Sequence, residues 1–298
     1  MKNILIIGCG LLGSSLLRRI KKKKLAKKIF IFEKSKKNLS KIKKLKLPGI
    51  IIKKPEDVMS EIKMIIFCTP MSEYKKIILK LNKFLTKNHI ITDIGSSKSN
   101  SLKVVNKNLK KNISWISSHP IAGSEVSGPE HGKQDLFEGK WCVLIKDKKT
   151  NFKHLKLVDS FWKKMGSKTV LMSPTKHDKI FSITSHLPHL IAYNLVKTAQ
   201  IFEKKQKHDL IKFSAGGLRD FSRIAASNEV MWRDIFFDNK SNVSKAINLF
   251  IKNLNEFKKD INSKNNKSIV KKLIQTKKVR SKIIKLKQDI DKPDFGRN

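Results

Sequence analysis

A glycine-rich turn, residues 8–13, directly follows a short apolar segment and constrains the fold of this chain more than any other feature. The apolar segment, residues 3–7, predicts a buried β-strand, and the residues after the turn predict a helix. Glycines at this spacing allow a tight turn, close approach of the backbone to a pyrophosphate, and close packing of helix on strand. A strand, turn and helix in this order predict a dinucleotide site, whose expected contacts are Gly8, Gly10, Leu11, Leu12 and Gly13.

An acidic residue ends the second predicted strand, residues 28–32. This residue, Glu33, lies 20 positions after Gly13. A carboxylate at that place accepts hydrogen bonds from the ribose hydroxyls and repels a 2′-phosphate, which favours NAD over NADP. Three lysines follow closely, at Lys34, Lys36 and Lys37, and they leave NADP open.

Further apolar segments alternate with predicted helices and indicate an α/β fold with a Rossmann-type, doubly wound parallel sheet. Predicted strands cover residues 63–67, 88–92, 114–116 and 141–145. Ligands of such sheets bind at the carboxyl ends of the strands. The residues expected to contact the cofactor there are Thr69, Pro70, Asp93 and Gly95.

The second half of the chain predicts an all-α dimerisation domain. Apolar residues recur at helical spacing over residues 176–204, 207–213, 229–237, 243–261 and 268–287. The expected domains are residues 1–172 and 173–290, followed by a tail at 291–298. These helices hold more apolar surface than a small core would bury, which favours a homodimer. One apolar stripe along the fourth predicted helix comprises Leu249, Ile251, Leu254, Phe257 and Ile261.

The net charge of +42 raises the question of nucleic-acid binding. Only seven of the basic residues are arginine, the lysines are spread along the whole chain, and no basic motif with interleaved aromatic residues is present. A lysine-rich solvated surface explains the charge better, so no specific nucleic acid is expected.

The three cysteines form no close pair, which favours the reducing cytoplasm, and no segment predicts a membrane span.

Two residue types stand out as candidates for chemistry. His119 follows the predicted strand 114–116 in a Gly/Ser-rich loop, and an imidazole of pKa about 6.5 can accept a proton at neutral pH. Three of the seven arginines, Arg219, Arg223 and Arg233, fall within 15 residues, and guanidinium binds carboxylates in a bidentate way. Arg233 is assigned to a structural pair with Asp234 or another acidic residue nearby. No acid or cysteine completes a metal set around the chain's histidines, so no metal is expected.

Four segments together resemble the prephenate/arogenate dehydrogenase family of tyrosine biosynthesis. They are Asp93-x-Gly95-Ser96, His119 to Ser124, Ser185 to His189, and Gly216 to Ala225. The resemblance covers nearly the whole chain, from Gly8 to about Lys287. It implies a Rossmann domain followed by a helical dimerisation domain, and an NAD(P)-dependent oxidative decarboxylation of prephenate.

The resemblance also implies a role for individual residues. His119 matches the histidine that takes the hydroxyl proton, and Ser96 matches the serine that bonds this histidine and the substrate hydroxyl. Arg223 matches the arginine that binds the substrate carboxylate. His189 and Ser124 match residues that line the pocket, and Arg219 stands where a basic residue reaches in from the partner subunit.

Three alternatives remain at this point. The substrate could be arogenate, or either compound in a cyclohexadienyl dehydrogenase of dual specificity. The chain could be another two-domain hydroxyacid dehydrogenase, although the His119 segment argues against that. A basic nucleic-acid-binding protein that contains a Rossmann domain is a more distant alternative.

Overall fold

An eight-stranded sheet occupies the first part of the chain in the computed structural model, which describes residues 3–206, 210–286 and 288. In chain order the strands are β1 (Asn3–Ile7), β2 (Ile29–Phe32), β3 (Ile50–Ile51), β4 (Ile62–Phe67), β5 (Ile90–Asp93), β6 (Ser114–Pro120), β7 (Trp141–Ile145) and β8 (Lys168–Met172). Their order across the sheet is β3-β2-β1-β4-β5-β6-β7-β8. The chain therefore changes direction across the sheet between β1 and β4, the usual place for a ligand in doubly wound folds.

The predicted α/β class is confirmed, with one difference in strand direction. All neighbouring strands are parallel except β6 and β7, which are antiparallel. The prediction missed β3 and β8, since the first has only two residues and the second is half-exposed. It also ended β6 too early, because β6 continues to Pro120 and pairs His119 with Val143. His119 thus lies in a strand rather than in a loop.

Helices cover both faces of the sheet and then form the second half of the chain. Those between the strands are α1 (Leu11–Lys22), α2 (Lys36–Lys44), α3 (Tyr74–Leu81), α4 (Ser99–Asn108) and α5 (Phe152–Lys164). Those after β8 are α6 (Pro174–Phe181), α7 (Leu187–Gln206), α8 (Gly216–Ala225), α9 (Glu229–Asp238), α10 (Lys240–Asn262) and α11 (Asn266–Lys285). No helix in the described ranges is long and apolar enough to span a membrane.

The helical predictions differ from the structure at particular places. The helix predicted over 176–204 is interrupted by a π-helical turn, Ser182–His186, which joins α6 to α7. Part of the segment predicted over 207–213 forms a 3₁₀ turn at Leu210–Phe213, whereas residues 207–209 lie outside the described residues. Residue 287, where the last helix was expected to end, and the predicted tail lie outside them too.

The core is divided by the sheet, and β1 supplies both halves. Ile4 and Ile6 point to the cluster formed with α1 and α5, while Leu5 and Ile7 point to the cluster formed with α3. Successive side chains of a strand face opposite sides, so a continuous apolar strand is the pattern of a sheet covered on both faces. Helix α9 contributes Trp232 to the second cluster, so the helical half packs directly on the sheet domain.

We predict that alanine destabilises the protein at one glycine of the first turn and is tolerated at another. A Cβ on Gly13 would lie 2.2 Å from the carbonyl oxygen of Gly8, whereas a Cβ on Gly10 would meet nothing within 4 Å. Gly13→Ala should lower the free energy of unfolding by roughly 1–3 kcal/mol through overpacking. The matched variant Gly10→Ala should stay within about 0.5 kcal/mol. Urea denaturation measures both, and equal stability of the two variants would contradict the packing role of Gly13.

Candidate active site

The turn between β1 and α1 forms a cradle for a phosphate group. Gly8 has a φ of +89°, which a side chain rarely adopts, and Gly10 borders open space. Helix α1 begins without a side-chain cap, so its first N–H groups and its dipole are available to an anion. Nearby, the hydroxyl of Thr69 is buried without a protein partner. These features fit a bound dinucleotide, as the sequence predicted.

Glu33 lies beside this turn, where its carboxylate is fixed by two backbone groups. One oxygen accepts a hydrogen bond from the N–H of Cys9 at 2.8 Å, and the other accepts one from the N–H of Ser35 at 2.7 Å. A carboxylate oxygen can accept more than one hydrogen bond. The half-buried carboxylate therefore has acceptor capacity left for ribose hydroxyls, and the binding of ribose by Glu33 stays a prediction.

Asp93 and Lys98 form a buried ion pair at the carboxyl ends of β5 and β6. The Lys98 ammonium lies 2.7 Å from the Asp93 carboxylate and 2.8 Å from the carbonyl oxygen of Ser118, and both side chains are almost fully buried. The same carboxylate accepts hydrogen bonds from the Tyr74 hydroxyl and the N–H of Gly95, each at 3.0 Å. Asp93 therefore organises the protein around it, and its predicted direct contact with the cofactor stays a prediction.

His119 is joined to the helical half of the chain by a histidine pair. Its Nδ1 lies 2.8 Å from Nε2 of His177 on α6, and Nδ1 of His177 lies 2.8 Å from the carboxylate of Asp178. Within the described part of the chain, no hydrogen bond joins Ser96 to His119. The contact that the family resemblance implied for Ser96 is thus not formed here, and the role of Ser96 stays a prediction.

Burial keeps the histidines of this site neutral. It lowers the pKa of His119 well below its usual value, and the neighbouring His177, Lys98 and His186 lower this pKa further. Burial, together with His177, also lowers the pKa of His186 to about 4. An imidazole with a lowered pKa carries a free lone pair at neutral pH, so His119 is ready to accept a proton.

Arg223 on α8 lies between two carboxylates. Its guanidinium is 3.5 Å from Glu125 and 3.3 Å from Asp220, and its buried Nε has no partner. The hydroxyl of Ser124 donates to Glu125 at 2.9 Å, which places Ser124 at the same cluster. The loop after β6 and the helical half therefore meet at Arg223, and Arg219, one turn earlier on α8, is exposed.

His189 near the start of α7 stacks on Trp232 of α9. The ring centroids are 3.8 Å apart and the planes differ by 24°. Nδ1 of His189 lies 3.0 Å from the carbonyl oxygen of Ser185, so Nδ1 donates and Nε2 is the acceptor. Arg233, by contrast, forms the expected structural pair with Asp234 at 2.7 Å.

The sequence predictions did not include several groups that organise this site. Lys98, His177, Asp178 and Trp232 were not assigned any role. Lysine is usually a surface residue, so nothing local marks Lys98 as buried. His177 does precede an acidic residue in the sequence, but its contact with His119 spans 58 residues and has no local signal.

Comparisons with known proteins point to one family. The family model for the nucleotide-binding domain of prephenate dehydrogenase matches residues 16–171, and that for its dimerization domain matches residues 173–275. Cyclohexadienyl dehydrogenase of Zymomonas mobilis is 31% identical over 290 residues, which cover 97% of this chain and 98% of that protein. Prephenate dehydrogenase of Bacillus subtilis is 31% identical over 260 residues, which cover 86% and 69% respectively.

Solved structures show the same similarity in three dimensions. The prephenate dehydrogenase of Aquifex aeolicus in complex with hydroxyphenyl propionate and NAD⁺ is 36% identical and superposes with a TM-score of 0.88. The match covers 95% of this chain and 98% of that one. The arogenate dehydrogenase of Synechocystis, 22% identical with a TM-score of 0.75, shares the fold.

We predict that Lys98 is needed for stability because it compensates a buried carboxylate. Lys98→Met would leave Asp93 without its cation, and breaking a buried pair in this way costs roughly 3–5 kcal/mol. Lys103→Met, at an exposed lysine on α4, the helix that begins directly after Lys98, should change the free energy of unfolding by no more than about 0.5 kcal/mol. Urea denaturation measures both, and a Lys98 variant as stable as the control would contradict this role.

Proposed function

Because the chain belongs to the prephenate dehydrogenase family, we propose that it oxidises prephenate with NAD to 4-hydroxyphenylpyruvate and carbon dioxide. The observation that carries this proposal is the neutral, buried His119 at the carboxyl end of β6, in the sheet whose first turn fits a dinucleotide. Members of this family are oxidoreductases, and the named relatives are prephenate or cyclohexadienyl dehydrogenases.

NAD is the cofactor that the residues of this chain favour. Gly10 and the uncapped start of α1 would hold its pyrophosphate, and Glu33 would bind the ribose hydroxyls. When bound, the nicotinamide supplies an acceptor for the hydride that leaves the ring carbon of the substrate. Thr69, Pro70, Asp93 and Gly95 are further proposed contacts or supports at the adjacent strand ends.

His119 would remove the proton of the ring hydroxyl as the hydride leaves, so that the hydroxyl becomes a carbonyl. The bond between the ring and its carboxylate then breaks, carbon dioxide leaves, and the bonding electrons complete the aromatic ring. The ring oxygen takes a proton back. Since aromatisation drives the reaction, the protein mainly has to orient the groups and move one proton.

The cluster around Arg223 would bind the acidic substrate. In this proposal Arg223 binds a substrate carboxylate, His189 and Ser124 line the pocket, Ser96 bonds the hydroxyl, and Arg219 acts from the partner subunit. A substrate carboxylate would compete with Glu125 and Asp220 for the guanidinium of Arg223. Hydrogen bonds from its own backbone N–H and then from the Ser124 hydroxyl lower the pKa of Glu125. Glu125 therefore stays ionised and competes with the substrate for Arg223.

We also infer that two chains associate into a homodimer through the domain after residue 172. Four residues of α10 leave much of their apolar side chains exposed, with Leu249 at 53%, Ile251 at 48%, Leu254 at 54% and Ile261 at 62%. Large apolar side chains exposed in this number on one helix favour burial in an interface. The match of residues 173–275 to a dimerization domain supports this inference.

The free cysteines Cys9, Cys68 and Cys142 suit a reducing cytoplasm.

A four-way assay tests the proposed activity and its finer specificity. The purified protein is incubated with prephenate or arogenate, each with NAD or NADP, and formation of the reduced cofactor is followed at 340 nm together with the aromatic product. We expect turnover of prephenate with NAD. Faster turnover of arogenate would instead identify an arogenate dehydrogenase, and no turnover in any of the four mixtures would refute the proposal.

His119→Asn should lower kcat because it removes the proton acceptor. The expected loss is roughly 10²–10⁴-fold, the usual contribution of general base catalysis. The affinity for NAD, measured by the quenching of tryptophan fluorescence, should not change. His131→Gln, at an exposed histidine, is the matched control and should keep the activity of the parent protein. A comparable loss of NAD affinity in His119→Asn would show that the residue is misassigned.

Arg223→Lys should mainly weaken substrate binding. Lysine cannot bind a carboxylate in the bidentate way, and a hydrogen bond to a charged group is worth about 1.5–3 kcal/mol, so KM should rise roughly tenfold or more. Arg233→Lys is the control, since Arg233 pairs with Asp234 on its own helix. Steady-state kinetics measures both. An unchanged KM for Arg223→Lys would count against the carboxylate role.

A further inference from the structure

The His119–His177–Asp178 chain of hydrogen bonds is the most completely defined arrangement of titratable groups in the described residues. The two contacts are both 2.8 Å long, and neither His177 nor Asp178 has any exposed surface. In addition, Phe181 of the same helix packs against both imidazole rings, with centroid distances of 4.9 Å to His119 and 4.4 Å to His177. The rings are therefore held in one orientation and shielded from water.

The protons of this chain can be assigned from its last member. Asp178 accepts hydrogen bonds from the backbone N–H groups of Lys98 and Ser99, each at 2.8 Å, in addition to the one from His177. Burial alone would raise the pKa of Asp178, but the hydrogen bonds from His177 and Ser99 outweigh it and lower the pKa below the usual value. Asp178 is thus an ionised acceptor with no proton of its own.

His177 is neutral and carries its single proton on Nδ1. Burial lowers its pKa, and the opposing hydrogen bond to Asp178 does not restore it. Because the carboxylate of Asp178 can only accept, the proton between the two groups belongs to Nδ1 of His177. Nε2 of His177 then has a lone pair and must accept a hydrogen bond from Nδ1 of His119.

We propose that His177 and Asp178 are positioning residues that hold His119 in the tautomer protonated at Nδ1, with the lone pair on Nε2 directed to the substrate's hydroxyl proton. This inference rests on the proposed function, in which His119 is the proton acceptor. When Nε2 of His119 takes up the proton, Nδ1 of the imidazolium still donates its hydrogen bond to Nε2 of His177. His177 in turn donates from Nδ1 to the carboxylate of Asp178. The hydrogen bond between the two histidines keeps the ring of His119 in the same orientation before and after proton uptake, while burial and the nearby Lys98 keep the pKa of His119 low.

The position of the pair explains why the base needs the second half of the chain. His119 belongs to β6 of the sheet, whereas His177 and Asp178 belong to the first helix after β8. Asp178 also accepts hydrogen bonds from the backbone at the start of α4, including the N–H of Lys98. The ammonium of Lys98 in turn donates to the carbonyl oxygen of Ser118, the residue before His119. The orientation of the imidazole is therefore set from both sides by one connected network.

The resting tautomer of His119 tests the proposal directly in the intact protein. Protein labelled with ¹⁵N-histidine is examined by two-bond ¹H–¹⁵N NMR correlation without substrate, and the His119 signals are assigned with His119→Asn. We expect protonation at Nδ1 and an unprotonated Nε2. Protonation at Nε2 in the parent protein would overturn the proposal. This measurement does not depend on turnover, so it stands even if the four-way assay finds no activity.

Two variants of His177 add a kinetic test. His177→Leu removes the acceptor and should lower kcat roughly 10–100-fold, the loss seen when the orienting partners of metal-bound histidines are removed, with KM little changed. His177→Gln keeps an amide oxygen that can accept from His119 and should recover part of kcat, and His131→Gln is the control. Full activity of a correctly folded His177→Leu protein, or equal activity of the Leu and Gln variants, would contradict a positioning role. If His177→Leu does not fold, the parent tautomer decides the question.

Discussion

The buried pair of Asp93 and Lys98 is the interaction on which the site depends. A lysine without exposed surface is stable only beside a carboxylate, and a buried carboxylate needs several donors. Asp93 accepts hydrogen bonds from Tyr74 on α3, from Gly95 in the loop after β5 and from the N–H of Ser118 on β6. The ammonium of Lys98 donates to the carbonyl oxygen of Ser118. The strand ends that hold the candidate active site are thereby joined to one another. The next residue along β6 is His119, so its backbone position follows from this pair.

Carboxylates of the helical half connect it to the same loops. Asp178 accepts from the backbone at the start of α4, Asp234 accepts from the N–H of Ser72, and Asp238 accepts from the hydroxyl of Ser97. The chain has 24 acidic residues against 66 basic ones. Several of its scarce acids therefore hold the helices against the strand ends, while the abundant lysines remain largely on the surface. The high net charge and the ordered interior are thus compatible.

Features that depend on neighbouring residues could be predicted from the sequence, and features that depend on distant contacts could not. The β1 strand, the glycine turn and α1 lie within about twenty residues, and spacing alone predicts them. The burial of Lys98 and the contact between His119 and His177 depend on how strands and helices assemble. The extension of β6 through His119 depends likewise on its pairing with β7, since Ser118, His119 and Pro120 are not an apolar strand pattern.

The lowered pKa of His119 has a consequence for the end of the proposed reaction. A phenol such as tyrosine has a pKa of about 10, far above that of a buried imidazole whose pKa lies below 6.5. A proton on His119 would therefore move downhill to the newly formed ring oxygen. The base would regain its free lone pair without exchanging a proton with water. A strongly basic residue at this position would accept the first proton more readily but would release it more slowly, so burial of His119 favours the return of the proton to the ring oxygen.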